Sequence, residues 1–232
     1  MKLKICGMKY EDNMTAVSNL QPDYLGFIFY KKSSRYFDTV IPEIPKEIKK
    51  TGVFVNASVE EIVNKIKLHD LQAIQLHGSE NPEFCKELKE KCHIERSRDA
   101  TDEMLNQVKH DNFNERNSSV EIIKVFSIKD EFDFSVLKEY EEVVDYFLFD
   151  TKGKLPGGNG VTFDWKVLEN YPSTKPFFLS GGIGLETITK LNDFMKSNAS
   201  KYCYALDVNS KFEIVPGLKN IELLKEFKQK NI

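Results

Sequence analysis

FLFDTKGKLPGGNG, residues 147–160, reads as a buried strand that delivers a carboxylate to a glycine loop. Phe147, Leu148 and Phe149 are apolar without alternation, the pattern of a parallel strand covered on both faces. Asp150 follows directly, and Gly157, Gly158 and Gly160 punctuate the loop beyond it. A carboxylate at the end of a buried strand, under a glycine loop, is a candidate acid–base group. The bland alternative is a loop cap. The loop from Thr151 to Gly160 reads as a lid that closes over a ligand and excludes water.

The same grammar recurs along the chain. Apolar runs occur at Leu3–Cys6, Tyr24–Phe29, Val53–Val55, Ala73–Leu76, Ile122–Phe126, Tyr146–Phe149, Phe177–Leu179 and Tyr202–Leu206. Amphipathic segments lie between them. Ser58-Val59-Glu60-Glu61 forms a capping box, followed by Val59, Ile62, Val63 and Ile66 at helical spacing. Asn81-Pro82 is a cap-plus-first-turn signal, with Phe84, Cys85, Leu88 and Cys92 along one stripe. Further faces run through Met14, Val17 and Leu20; through Leu185, Ile188, Leu191 and Met195; and through Ile221, Leu224 and Phe227. Eight alternations predict an α/β fold, a single-domain (β/α)8 TIM barrel spanning 1–232. An open doubly wound sheet would usually have fewer strands in this length. Pro42 and Pro45 require the second helix, within 36–50, to be short or to start late. The polar segment 93–120 reads as an insertion between strands four and five, with one short helix around Glu103–Val108.

Composition narrows the function. With 41% hydrophobic residues in 232 there is material for a sizeable core. A formal charge of -3 and no basic face argue against a nucleic-acid partner. No run approaches membrane-helix length, and MKLKICGMK at the start reads as a first strand rather than a signal peptide. Cys6, Cys85, Cys92 and Cys203 form no CxxC pair and no zinc spacing, so free thiols of a cytoplasmic protein are expected.

In such barrels chemistry collects at the C-terminal ends of the strands. Those ends supply Cys6-Gly7, the 31–35 stretch KKSSR ending in Arg35, Asn56, His77-Gly78, Ser127, Asp150, Ser180-Gly181-Gly182, and Asp207 with Asn209 and Ser210. Taken singly, each has a structural reading: a buried small hydrophobe for Cys6, a surface charge for Arg35, a hydrogen-bonded scaffold residue for His77. Convergence on one rim favours a site. SGGIG at 180–184 is more specific, because glycines let backbone amides approach a phosphate and a following helix offers its N-terminus.

Seven ordered motifs carry a resemblance: KICGM (4–8), GFIFYKKSSRY (26–36), VFVN (53–56), IQLHG (74–78), FDTKGKLPGGNGVTFDW (149–165), LSGGI (179–183) and ALDV (205–208). Together they resemble the phosphoribosylanthranilate isomerases of tryptophan biosynthesis, and they span nearly the whole chain. The resemblance implies an Amadori rearrangement of N-(5-phosphoribosyl)anthranilate to 1-(2-carboxyphenylamino)-1-deoxyribulose 5-phosphate, with no metal and no organic cofactor. It implies Cys6 as general base, Asp150 as general acid and Arg35 as partner of the anthranilate carboxylate. Gly181 and Gly182, with the strand-eight loop through Asn209 and Ser210, would hold the phosphate. His77 and Asp207 are expected to line the substrate site. The expected partner is a small phosphorylated molecule, not nucleic acid or membrane, and the expected state is monomer or homodimer.

Two departures from the family pattern fall in DVNSKFE, 207–213: Lys211 stands where glycine is usual, and Asn220 further on where aspartate is frequent. Lys211 either strains the loop or adds a phosphate cation. Strand alternation puts Lys4 on the face of Cys6, inside the barrel, where a buried ammonium needs an acid partner. Asp207 and Asp150 are the candidates. A synthase or lyase barrel on a related phosphoribosyl substrate would want a lysine acid, for which Lys124 is the tempting residue. A non-catalytic phosphate-binding barrel would not need Cys6 and Asp150 together.

Overall fold

The computed structural model describes residues 1–92, 119–129, 131–151 and 163–230. The insertion proposed for 93–120 lies almost entirely outside them, as does the glycine loop beyond Thr151. Eight parallel strands close a barrel in sequence order. They are β1 (Lys2–Ile5), β2 (Tyr24–Ile28), β3 (Lys49–Phe54), β4 (Ala73–Leu76), β5 (Glu121–Ile128), β6 (Tyr146–Thr151), β7 (Phe177–Leu179) and β8 (Cys203–Val208). β1 closes on β8 with Lys4 opposite Asp207. A two-stranded antiparallel hairpin, β9 (Glu213–Val215) and β10 (Leu218–Lys219), follows.

The apolar runs match the strands closely, except that β3 starts four residues ahead of Val53. Its early residues escape a hydrophobic reading because they line the barrel floor, where Lys49 Nζ pairs with Glu121 Oε1 at 2.5 Å. The helical layer is thinner than the alternation suggests. α1 (Glu11–Ser18), α2 (Val59–His69), α3 (82–92), α4 (Ile188–Phe194) and α5 (Ile221–Gln229) are α-helices. After β5 and β6 the cover is 3-10 helix, Phe134–Tyr140 and Trp165–Asn170. The segment between β2 and β3 has no helix at all. Pro42 and Pro45 remove donors there, and the stretch is pinned by burying Phe37, Ile41 and Ile48.

Local signals explain the helix ends. Ser58 accepts from Glu61 N at 3.1 Å, and Asn81 Oδ1 accepts from Phe84 N at 2.9 Å. Asn220 caps α5 by accepting from Glu222 and Leu223 amides, so its amide does the work an aspartate would do there. Leu191 is buried on α4 as expected, but Phe194 rather than Met195 completes the face. Two apolar layers result. The larger lies between strands and outer cover and includes Phe27, Phe54, Leu76, Phe149 and Leu206. The smaller fills the barrel with Tyr24, Ala73, Ile123, Leu148, Phe178 and Ala205. This apolar filling lies below the polar upper rim.

Candidate active site

The rim residues named from the strand ends come together. Cys6, Arg35, His77, Asp150, Gly181, Gly182, Asp207, Asn209 and Ser210 all line one cavity, about 760 Å³ including its open mouth. Each is placed by a strand terminus: Cys6 one residue past β1, His77 one past β4, Asp150 at the penultimate position of β6, Asp207 within β8.

Cys6 needs space beside it. A Cβ on Gly26 of the neighbouring strand would sit 2.8 Å from Cys6 Sγ, so only glycine leaves the thiol its position. Beneath the thiol, Lys4 is fully buried and its Nζ donates to Asp207 Oδ1 at 2.8 Å. The acid partner expected for Lys4 is therefore Asp207. Ser180 Oγ also donates to Asp207, at 3.2 Å to Oδ2. Asp207 thus reaches the cavity with its oxygens already engaged from below. Burial pushes the Cys6 thiol up, and Asp207 adds to that, against the opposing pull of Lys4 and Lys219. The cationic surroundings anticipated for a thiolate are present, but burial outweighs them.

Asp150 is also buried, and burial reinforced by the Asp207 charge pushes its carboxyl up to about 7, against the Thr151 amide and Lys4. Thr151 N donates to Asp150 Oδ1 at 2.8 Å, leaving Oδ2 toward His77 Nε2 at 3.5 Å. Burial, with Lys4 and Lys124 adding repulsion, lowers His77 to about 4. Gln75 Nε2 lies 3.3 Å from His77 Nδ1; as an amide donor it makes Nδ1 the acceptor and leaves the imidazole proton on Nε2, facing Asp150.

The opposite side is formed by the diglycine turn after β7. Gly181 and Gly182 have φ of 89° and 67°. A Cβ on Gly181 would collide with the Thr151 hydroxyl and amide, so the close approach itself requires glycine. The expected helix N-terminus is not directly there. A 3-10 turn, Leu185–Thr187, intervenes, and the Gly184 amide donates internally to Thr187 Oγ1 at 3.0 Å. Lys211 lines the cavity, with Nζ 2.5 Å from Glu186 Oε1.

Arg35 is not an isolated guanidinium. It grips Glu213 bidentately, with Nε 2.8 Å from Oε1 and Nη2 2.6 Å from Oε2. Lys219 Nζ donates to the same carboxylate at 2.8 Å and to Asn209 Oδ1 at 2.7 Å. Neither Glu213 nor Lys219 emerges from the strand-end survey. The signal was Pro216-Gly217, a turn dipeptide that makes the flanking segments a hairpin and sets Glu213 opposite Lys219. Lys124 is withdrawn from the site chemistry: it is buried, with its ammonium on Glu80 Oε2 and the Gly78 carbonyl, both at 2.8 Å. It orders the turn that carries His77.

A closed barrel with a raised carboxyl, a buried thiol and a diglycine turn on one rim is an α/β barrel suited to proton-transfer chemistry. The family model for "N-(5'phosphoribosyl)anthranilate (PRA) isomerase" matches residues 3–114 and 106–230. The chain belongs to the N-(5'-phosphoribosyl)anthranilate isomerase family. It is 36% identical to the N-(5'-phosphoribosyl)anthranilate isomerase of Parabacteroides distasonis, over 99% of this chain and 92% of that one. The crystal structure of phosphoribosyl anthranilate isomerase from Thermotoga maritima superposes with a TM-score of 0.74 at 28% identity, covering 99% and 98% of the two chains. A phosphoribosyl anthranilate isomerase solved in complex with reduced 1-(o-carboxyphenylamino)-1-deoxyribulose 5-phosphate matches with a TM-score of 0.70 at 26% identity, covering 99% and 97%. No helix among the described residues is long and apolar enough to cross a membrane.

Proposed function

We propose that this isomerase converts N-(5-phosphoribosyl)anthranilate to 1-(2-carboxyphenylamino)-1-deoxyribulose 5-phosphate, a step of tryptophan biosynthesis, using Asp150 as general acid and Cys6 as general base. The observation that carries the reading is the carboxyl of Asp150 raised to about 7 in the cavity that also holds Cys6. A carboxyl with that value can hold a proton near neutrality and give it up.

Asp150 protonates the furanose ring oxygen as the C1–O bond breaks, producing an iminium between C1 and the anthranilate nitrogen. The iminium acidifies the C2 proton. The Cys6 thiolate removes it, and the electrons of the C2–H bond form the enolamine, which tautomerises to the ketone. Lys4 beside Cys6 and the cationic iminium both favour the thiolate once substrate is bound. His77, neutral and with its proton toward Asp150, stabilises the carboxylate left after proton donation. Arg35 receives the anthranilate carboxylate, for which a planar guanidinium is suited. Amides of Gly181 and Gly182, with the Asn209–Ser210 turn, receive the phosphate. The four free cysteines support work in a reducing compartment, the cytoplasm.

The test is the loss of substrate fluorescence when the protein is added to freshly prepared phosphoribosylanthranilate. Wild-type turnover that disappears in both Cys6→Ala and Asp150→Ala supports the assignment. Full activity in both variants would refute it.

A further inference from the structure

Glu213 takes the Nε–Nη2 edge of Arg35. Among the described residues Nη1 has no acceptor, so the Nη1–Nη2 edge is the one left for a ligand carboxylate. Glu213 is itself a carboxylate, 5% exposed, and alone it would repel a second one. Lys219, whose side chain has no exposure, donates to it from the other strand of the hairpin. The Gly217 amide adds a third donor at 3.0 Å. Burial would push Glu213 up, but the Arg35 hydrogen bonds and the Lys219 charge outweigh it and hold the carboxyl below its usual range. The three side chains therefore sum to one positive charge, presented on a single oriented edge.

We propose that Glu213 and Lys219 are positioning residues for carboxylate recognition: Glu213 fixes which edge of Arg35 faces the cavity, and Lys219 cancels the charge of Glu213 so that the ligand carboxylate meets a net cation. The proposal rests on the assignment of Arg35 to the anthranilate carboxylate. Lys219 also ties this unit to Asn209 of the anion-binding turn, so both ends of a ligand that carries two anionic groups are referenced to one hairpin.

The experiment compares phosphoribosylanthranilate with phosphoribosylaniline, which lacks the carboxylate, in wild type, Glu213→Gln and Lys219→Met. Expected is a rise in KM of about tenfold or more for the carboxylate substrate in each variant, as for removal of one member of a buried charge pair. KM for the aniline analogue stays within about twofold in Glu213→Gln; in Lys219→Met, which also loses the Asn209 contact, it rises less than KM for the carboxylate substrate, and any change in kcat is common to both substrates. Equal shifts of KM on both substrates, or no shift, would overturn the proposal. Wild type that shows the same KM for both substrates would instead overturn the Arg35 assignment beneath it. Should Glu213→Gln fail to fold, Lys219→Met gives the same reading, since its methylenes refill the buried channel.

Discussion

His77 Nε2 faces Asp150 Oδ2 at 3.5 Å, and burial drives the two groups to the same uncharged condition by shifting them in opposite directions. Between about 4 and about 7 the imidazole has no proton to spare and the carboxyl keeps its own. A neutral pair is far cheaper to bury than an ion pair.

Stability should reveal this couple through cancellation. Asp150 folds with a raised value, so above its ordinary 3.8 the unfolded state has lost a proton the native state keeps, and stability falls as pH rises to about 7. His77 folds with a lowered value, so below its ordinary 6.5 the unfolded state gains a proton the native state refuses, and stability rises with pH from about 4. The falling limb is about 4 kcal/mol over its window and the rising limb about 3. Asp150→Asn removes the falling limb. Its urea midpoint relative to wild type should climb steadily between pH 4 and 7 while activity is lost.

The pH–rate profile should show reverse protonation. Cys6 lies above its ordinary value and Asp150 near 7, so at mildly alkaline pH most free enzyme carries the proton on the thiol. The reactive form has it on the carboxyl. The kcat/KM profile therefore rises through about 7 and falls at the higher pKa of Cys6. The limb near 7 belongs to Asp150, and it should persist in Cys6→Ser if that variant keeps measurable turnover. A limb near 7 that vanished there would reverse the assignment.

Lys4 and Asp207 should be worth little as a pair and much as individuals. Lys4→Met leaves a buried carboxylate without its cation, expected to cost about 3–5 kcal/mol in urea unfolding. Adding Asp207→Leu should return most of that loss. A double variant no more stable than Lys4→Met would show that Asp207 has other buried obligations, of which Ser180 is the first to examine.

Lys211 can be read by inhibition. Its ammonium is held by Glu186 at 2.5 Å beside the Gly181–Gly182 cradle. If it serves as a phosphate cation, Lys211→Gly weakens competitive inhibition by inorganic phosphate about threefold to tenfold, and Glu186→Gln strengthens it. Unchanged inhibition constants in both would leave Lys211 as a surface ion pair.

Gly26→Ala tests the space around the thiol. The added methyl would press on Cys6 Sγ at 2.8 Å. A displacement of that kind costs reactivity more than fold, so kcat should drop roughly a hundredfold with a smaller change in thermal midpoint.

The barrel and most of the rim were legible because both are written locally. A continuous apolar run followed by a reactive residue is a strand and its tip, whatever the rest of the chain does. Ala73–Leu76 and Phe177–Leu179 are read to the residue. Lys49 and Lys50 carry no apolar strand signal: both are partly exposed and pair with Glu121 and Asp70, each reached across neighbouring elements. The cover after β6 carries no helical face in the sequence: Trp165 and Leu168, three apart, are the buried residues of a 3-10 helix. Glu213 and Lys219 carry no periodic signal; only the hairpin makes them neighbours of each other, and only the closed barrel makes them neighbours of Arg35.

Barrel closure has a temporal consequence. β1 pairs with β8 through Lys2 opposite Ala205 and Lys4 opposite Asp207, positions at opposite ends of the chain. Joining them shuts a loop of nearly the whole chain, and such contacts form late because the entropy of closure precedes their reward. Cys6 sits on one lip of that seam and Asp207 on the other. On the proposed assignment, a chain still on the ribosome, or a barrel with its first strand detached, carries Asp150 on β6 and the diglycine turn after β7 but has no seat for Cys6. Catalytic competence is thus a report on the last step of folding.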